Sequence, residues 1–153
     1  MILEYAKVRD TAFTPDRANP SDAGLDIFYS PENKNRKIHM SPNTSRVLPT
    51  GLKFAIPHGY MLEVKNRSSV AAKRQLLVGA CVIDSGYEGE VFVNLHNVGV
   101  EGQVIVPGDK IAQLVMTPVV HFRASETTEE TLYNYPMTIS GRGEGSLGST
   151  DGQ

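Results

Sequence analysis

Cysteine is almost missing from this chain: a single Cys81 among 153 residues excludes an internal disulfide and removes any need for an oxidising compartment. Long apolar runs are missing too. No stretch approaches the ~20 residues of a membrane span, and the N-terminus lacks the basic flank and long apolar core of a signal peptide. A cytoplasmic location without a membrane partner is therefore expected. Nor is there a surplus of basic residues. With a net charge of -2 the chain has no basic face for non-specific duplex binding, so no nucleic-acid partner is expected, and any anionic ligand must meet local positive charge. Zinc chemistry lacks its usual signatures, because there is no CxxC or HxE pattern and His39, His58, His96 and His121 are scattered. A P-loop is absent as well.

What is present is an ordinary globular composition, 40% hydrophobic and 21% charged, in a length that suits one domain. Apolar and polar residues alternate in short runs at 2–8, 52–56, 60–65, 76–83, 90–97, 103–106 and 111–120, separated by Gly, Pro or Asp. That is the pattern of an all-β sandwich or barrel. Only 68–75 reads as helix, about two turns long, with Ser68 or Ser69 placed to cap it. The stretch 125–130 is acidic and polar and reads as an exposed connection.

Four places interrupt the β pattern with polar residues. In VIDSGYEGEV, Asp84 follows Ile83 at a strand end, where a rigid sheet would hold a general base in reach of ligand, and Tyr87 follows three residues later. The same letters also suit a turn initiator and a cross-strand aromatic. In NRSSVAAK, Arg67, Ser68 and Ser69 stand at the helix start, either as an anion site or as a capped end with a solvated arginine. In DAGLDIF, Asp26 lies between apolar neighbours and must be paired or near a cation if buried. In GDKIAQLV, Gln113 interrupts an apolar strand, and its amide must find partners. The tail GRGEGSLGSTD carries Arg142 and paired hydroxyls among glycines, which suits either a lid over phosphate oxygens or a solvated terminus.

Taken in order, AGLD, NRSS, VIDSGYEGE, GDKIAQL and RGEGSLGST resemble the five ordered motifs of the trimeric deoxyuridine triphosphate nucleotidohydrolases, the dUTPases, from Ala23 to Thr150. The resemblance implies a jelly-roll-like β domain over 1–140 and a flexible C-terminal arm over 141–153. It also implies a homotrimer whose active sites draw on several subunits. The implied reaction converts dUTP and water to dUMP and pyrophosphate by water attack on the α-phosphate.

Residue by residue, the resemblance makes Asp84 the acid that activates water and Tyr87 the ring against deoxyribose, where a 2′-hydroxyl would have neither room nor partner. A strand hairpin around Gly79, Ala80, Cys81 and Val82 would read uracil with backbone groups. Arg67, Ser68, Ser69, Gln113, Arg142, Ser149 and Thr150 would bind substrate, chiefly its phosphates, with Leu147 and Gly148 in the covering arm. Magnesium, Mg2+, would be held by phosphate oxygens and water, with Asp26 contacting its hydration shell. Departures from the family pattern fall at Leu147, where an aromatic is usual, and at Ser69, Cys81, Ser146 and Asp151, where glycines are usual. A dCTP deaminase of the same fold would carry a glutamate where this chain has Asn94, an amide that cannot shuttle a proton. A nucleotide-gated protein-binding role would use 125–135 as a contact surface.

Overall fold

The computed structural model describes residues 1–134, 140–148 and 151. Two compact units are distinguished, Met1–His121 and Phe122–Gln153. Among the described residues the first holds all the regular structure: β1 (Tyr5–Lys7), β2 (Leu25–Phe28), β3 (Ile38–Met40), β4 (Ser45–Pro49), β5 (Leu52–Phe54), β6 (Tyr60–Lys65), α1 (Ser68–Arg74), β7 (Leu76–Val78), β8 (Val82–Ile83), β9 (Phe92–Asn97), β10 (Gln103–Ile105) and β11 (Lys110–Pro118). Every strand pairing is antiparallel, in sheets ordered β2-β11-β6-β8, β4-β9-β7, β1-β5 and β10-β3. This is an all-β, jelly-roll-like arrangement with one short helix among the described residues.

Alternation decides which side of each strand is inside. In β6, Leu62 and Val64 are buried while Lys65 is exposed; in β9, Val93, Leu95 and Asn97 point inward between Phe92, Asn94 and His96. These side chains join Ile27, Leu48, Leu52, Leu76, Ile105 and Ile111 in one apolar core. Each fully buried aliphatic side chain contributes roughly 1.5–3 kcal/mol relative to leaving it in water.

The expected strands at 2–8, 52–56, 90–97, 103–106 and 111–120 are found in shortened or shifted form. β1 keeps only three residues, and Ile2 is exposed while Leu3 packs on the core. Three strands escaped the alternation pattern because β2 carries an acid in its middle, β3 has three residues and β4 ends on a proline. The single run expected over 76–83 is two strands in different sheets. β7 pairs with β9 and β8 with β6, so Gly79 to Cys81 is a crossing between sheets and not a hairpin. Its ends are fixed by Gly79 N–H donating to the Asn94 carbonyl (2.8 Å) and Val64 N–H donating to the Cys81 carbonyl (2.7 Å).

The helix also departs from expectation. Arg67, with extended backbone angles, is its N-cap; no side chain caps it, and Ser68 and Ser69 already lie in the first turn. Ion pairing takes over the job of anchoring. Arg74 in the last turn donates to Asp109 Oδ2 (3.3 Å) and to Gln103 Oε1 (3.2 Å), tying the helix end to β10 and the turn before β11.

The second unit is described by itself. Thr128 to Asn134 forms turns closed by Thr131 N–H to Thr128 O and Asn134 N–H to Thr131 O (both 3.2 Å). In the glycine-rich arm, Arg142 Nε donates to the Gly145 carbonyl (2.6 Å), Gly143, Leu147 and Gly148 have positive φ, and Leu147 is fully exposed.

Asn97 closes the end of β9 from inside the core. Its Nδ2 donates to the carbonyls of Met40 (3.0 Å) and Glu101 (2.9 Å), and its Oδ1 accepts from Gly99 N–H (3.0 Å). Asn97→Ala strands three backbone groups and is expected to cost about 2–4 kcal/mol, read as a lower urea midpoint at unchanged m-value. A midpoint like that of the parent chain would show that water replaces the amide.

Candidate active site

Two polar clusters stand out on the first unit, and each is built by its own strand ends. The first surrounds Asp84. β8 ends at Ile83, and the chain turns at once, with Tyr87 N–H donating to the Asp84 carbonyl (3.1 Å) around Ser85 and Gly86. The acid is thus held on a strand tip and exposed. Tyr87 comes back beside it. Its hydroxyl donates to the Glu90 carbonyl (2.7 Å), and its ring lies so close over Gly89 that a β-carbon there would stand 2.5 Å from the hydroxyl oxygen.

Glu90 is itself pinned. Its carboxylate pairs with Arg9 and accepts from Gly51 N–H (2.8 Å), while Arg9 also donates to the Ser30 carbonyl (3.1 and 3.0 Å). Asp84 and Tyr87 line one pocket of about 230 Å³ together with Ala80, Cys81 and Val82. The sheet crossing supplies those three residues, and Asn94 supports it by accepting from Ala80 N–H at 3.3 Å. Gly79 stands outside that pocket, against the Asn94 and His96 side chains.

The second cluster surrounds Asp26, which is only 7% exposed although charged. Arg67 Nε meets its Oδ1 at 2.8 Å and Lys110 Nζ meets its Oδ2 at 3.0 Å, so the expected pairing of this acid takes the form of one carboxylate between two cations. Gln113 sits beside it in register with Asp26 on one side and Lys65 on the other. Its amide donates to the Asn66 carbonyl (2.8 Å), and Gly24 makes room, since a β-carbon there would lie 1.8 Å from Gln113 Oε1. Asp26, Arg67, Ser68 and Gln113 share a pocket of about 280 Å³. Ser69 lies outside it and faces Arg67 Nη1 at 3.4 Å. Lys65 pairs with Glu63 (2.7 Å), whose hydrogen bond and negative charge raise its pKa and hold it protonated.

Lys110 and Lys65 went unnoticed in the sequence. Simple alternation puts Lys110 on the face opposite Gln113, and Lys65 reads as one more solvated charge.

Register keeps the clusters apart. Gln113 is level with Lys65 on β6, whereas Ile83 is level with Leu62, which sets Asp84 level with Met61. Four residues of strand separate the two positions, about 13 Å along the sheet, and the two pockets share no residue. Ser149 and Thr150 lie outside the described residues. Among the described residues no group of three or more His, Cys, Asp or Glu could hold a metal ion, and both Asp26 oxygens are already taken by cations. That donor set suits an ion held by ligand oxygens and water, with no protein cage.

Comparison with known proteins gives a uniform result. The family model described as dUTPase matches residues 10–146. The deoxyuridine 5'-triphosphate nucleotidohydrolase of Chlamydia trachomatis serovar L2 is 33% identical over 148 residues, 95% of this chain and 96% of that protein. That of Anaplasma marginale is 35% identical over 142 residues, covering 89% and 87%. Among solved structures, a variant dUTPase of Staphylococcus bacteriophage 80alpha with dUpNHpp superposes with a TM-score of 0.81 at 25% identity, over 97% of each chain. A variant dUTPase from phage phi11 of S. aureus, described as showing the coordination of a structural Mg(II) ion, has a TM-score of 0.75 at 25% identity, over 86% of this chain and 99% of that one.

The contact between Tyr87 and Gly89 is directly testable. Gly89→Ala should expel the ring from its seat, break its hydrogen bond to Glu90 and cost about 1–3 kcal/mol, measured by urea unfolding. Unchanged stability with the ring still in place in a crystal structure would mean that the backbone yields instead.

Proposed function

The chain belongs to the dUTPase family and is a dUTP diphosphatase, hydrolysing dUTP to dUMP and pyrophosphate, and we propose that Asp84 is the base that activates the attacking water. The observation that carries this assignment is the placing of the Asp84 carboxylate and the Tyr87 ring in one pocket at a strand tip. The carboxylate takes a proton from water, the water oxygen bonds to the α-phosphorus, and the bridging bond to the β-phosphate breaks to release pyrophosphate. Tyr87, fixed through its hydroxyl, presents the ring to the deoxyribose and leaves a 2′-hydroxyl no space. Uracil would be read by backbone groups of Gly79 to Val82 other than the Gly79 and Ala80 amides and the Cys81 carbonyl, which are bonded within the chain.

Arg67, Ser68 and Gln113 serve the phosphates, with Ser69 beside Arg67, and the arm residues Arg142, Leu147, Gly148, Ser149 and Thr150 complete the site. Magnesium bound with the triphosphate would neutralise phosphate charge, with Asp26 contacting its hydration shell. The deaminase reading would need an acid at position 94. Asn94 there uses its amide on Ala80 N–H and the Arg46 carbonyl, which supports the hydrolase instead.

A site that joins the two clusters is better supplied by more than one copy of the chain. The separation of about 13 Å along one sheet leaves the base and the phosphate ligands of a single subunit too far apart to serve the same phosphorus. We propose a homotrimer with shared sites, as the family resemblance implies, and a cytoplasmic location to accompany a role in nucleotide metabolism.

Two measurements follow from this reading. Pyrophosphate release should be strong with dUTP and weak with dCTP, dTTP and UTP, and Asp84→Asn should cut kcat at least ~100-fold while dUTP binding stays within a few-fold. Full turnover in that variant would remove Asp84 from the role of base. Co-assembly provides the second test. Asp84→Asn and Arg67→Met chains, each inactive alone, should regain about a quarter of parental activity when refolded together at equal ratio, because that share of sites receives both intact residues. Activity no higher in the mixture than in the separate variants would place the whole site within one subunit.

A further inference from the structure

Lys110 belongs to no pocket described above, yet the strand is bent to bring it to Asp26. We infer that Lys110 is a positioning residue for triphosphate binding: by occupying one oxygen of Asp26 it keeps Arg67 attached to that acid through Nε alone, with Nη1 on the Ser69 hydroxyl and Nη2 left for phosphate. The inference rests on the reading of Arg67 as a phosphate ligand.

The backbone supplies the first part of the case. β11 pairs with β2 through Lys110↔Phe28, Ala112↔Ile27 and Gln113↔Asp26, so Ile111 is an extra residue with no partner. In an unbroken strand Lys110, three positions from Gln113, would point to the opposite face. The bulge reverses that. Ile111 and Ala112 both turn inward and are at most 1% exposed, while Lys110 and Gln113 emerge on the same face and flank Asp26. The bulge is held by packing. Lys110 Nζ lies 5.9 Å from the centre of the Phe28 ring, Phe28 stacks on Phe13 at 5.7 Å, and Phe13 in turn closes over Gly108, where a β-carbon would stand 3.0 Å from its ring.

Charge supplies the second part. Asp26 with its two cations carries one positive charge over, which offsets Asp22, the other acid lining this pocket. Remove Lys110, and Asp26 Oδ2 is left with no cation in a nearly buried position. The guanidinium already bonded to Oδ1 is the donor at hand, and a carboxylate draws arginine into a two-bond fork whenever geometry allows. That fork would turn a terminal nitrogen of Arg67 away from the ligand. The loss should fall on ligands that carry the outer phosphates.

The test is binding by calorimetry in chelator-treated buffer, with α,β-imido-dUTP and dUMP as probes, on the full chain. Lys110→Met should weaken the imido-triphosphate about tenfold while dUMP stays within about twofold, and Lys110→Arg should restore triphosphate binding to within about threefold. Equal weakening of both ligands, unaltered binding of the triphosphate, or a Lys110→Met chain that no longer folds would each overturn the positioning role. A parental chain that binds neither probe would instead overturn the functional reading on which it rests.

Discussion

A carboxylate nine-tenths buried in the second strand organises one polar face of this protein. Asp26 cannot remain charged there without partners, and the effective penalty for an unpaired ion in such a place is several kcal/mol. Its two partners come from separate parts of the chain, Arg67 from the junction of β6 and α1, and Lys110 from the start of β11. Satisfying one acid therefore aligns three segments and sets Gln113 between them. Such a pair and a half adds little net stability once desolvation is counted. What it supplies is a single permitted arrangement of cations around a small polar pocket.

The Asp84 pocket is built on a different constraint, the transfer of the chain from one sheet to another. β7 ends against β9 and β8 begins against β6, so Gly79 to Cys81 must run between layers with its amides and carbonyls turned to neighbours or to ligand. The strand that follows is only two residues long and delivers Asp84 at its tip. Behind it, Arg9, Glu90, Ser30 and Gly51 form a lattice of ionic and backbone bonds that fixes the carbonyl to which Tyr87 is tied. The Tyr87 ring thus gains its rigidity from residues distant in sequence. Cys81 sits in the wall of that same pocket.

Much of this was legible in the letters, and the reasons for the rest are specific. Alternation located β6 to the residue because Leu62 and Val64 face a core while their neighbours do not. It missed β2 because Asp26, a buried charge, breaks the apolar pattern that a strand normally shows. Ser68 and Ser69 carry the usual capping chemistry, yet the chain enters the helix through Arg67, whose side chain is drawn to Asp26 instead. The run through 76–83 looked continuous because a change of sheet leaves no mark when the crossing residues are small.

By itself the sequence determined the β class and the five ordered motifs, and it singled out Asp84, Tyr87, Arg67 and Gln113 as candidates, since these follow from residue type and order. Only the tertiary structure decided that they fall into two pockets, with Asp84 and Gln113 offset by about 13 Å along the strands, and that Lys110 shares a face with Gln113. Both outcomes are matters of strand register, and one extra residue in a strand exchanges the faces of everything before it. That single-residue offset is set by pairing between distant segments, where local periodicity has no say.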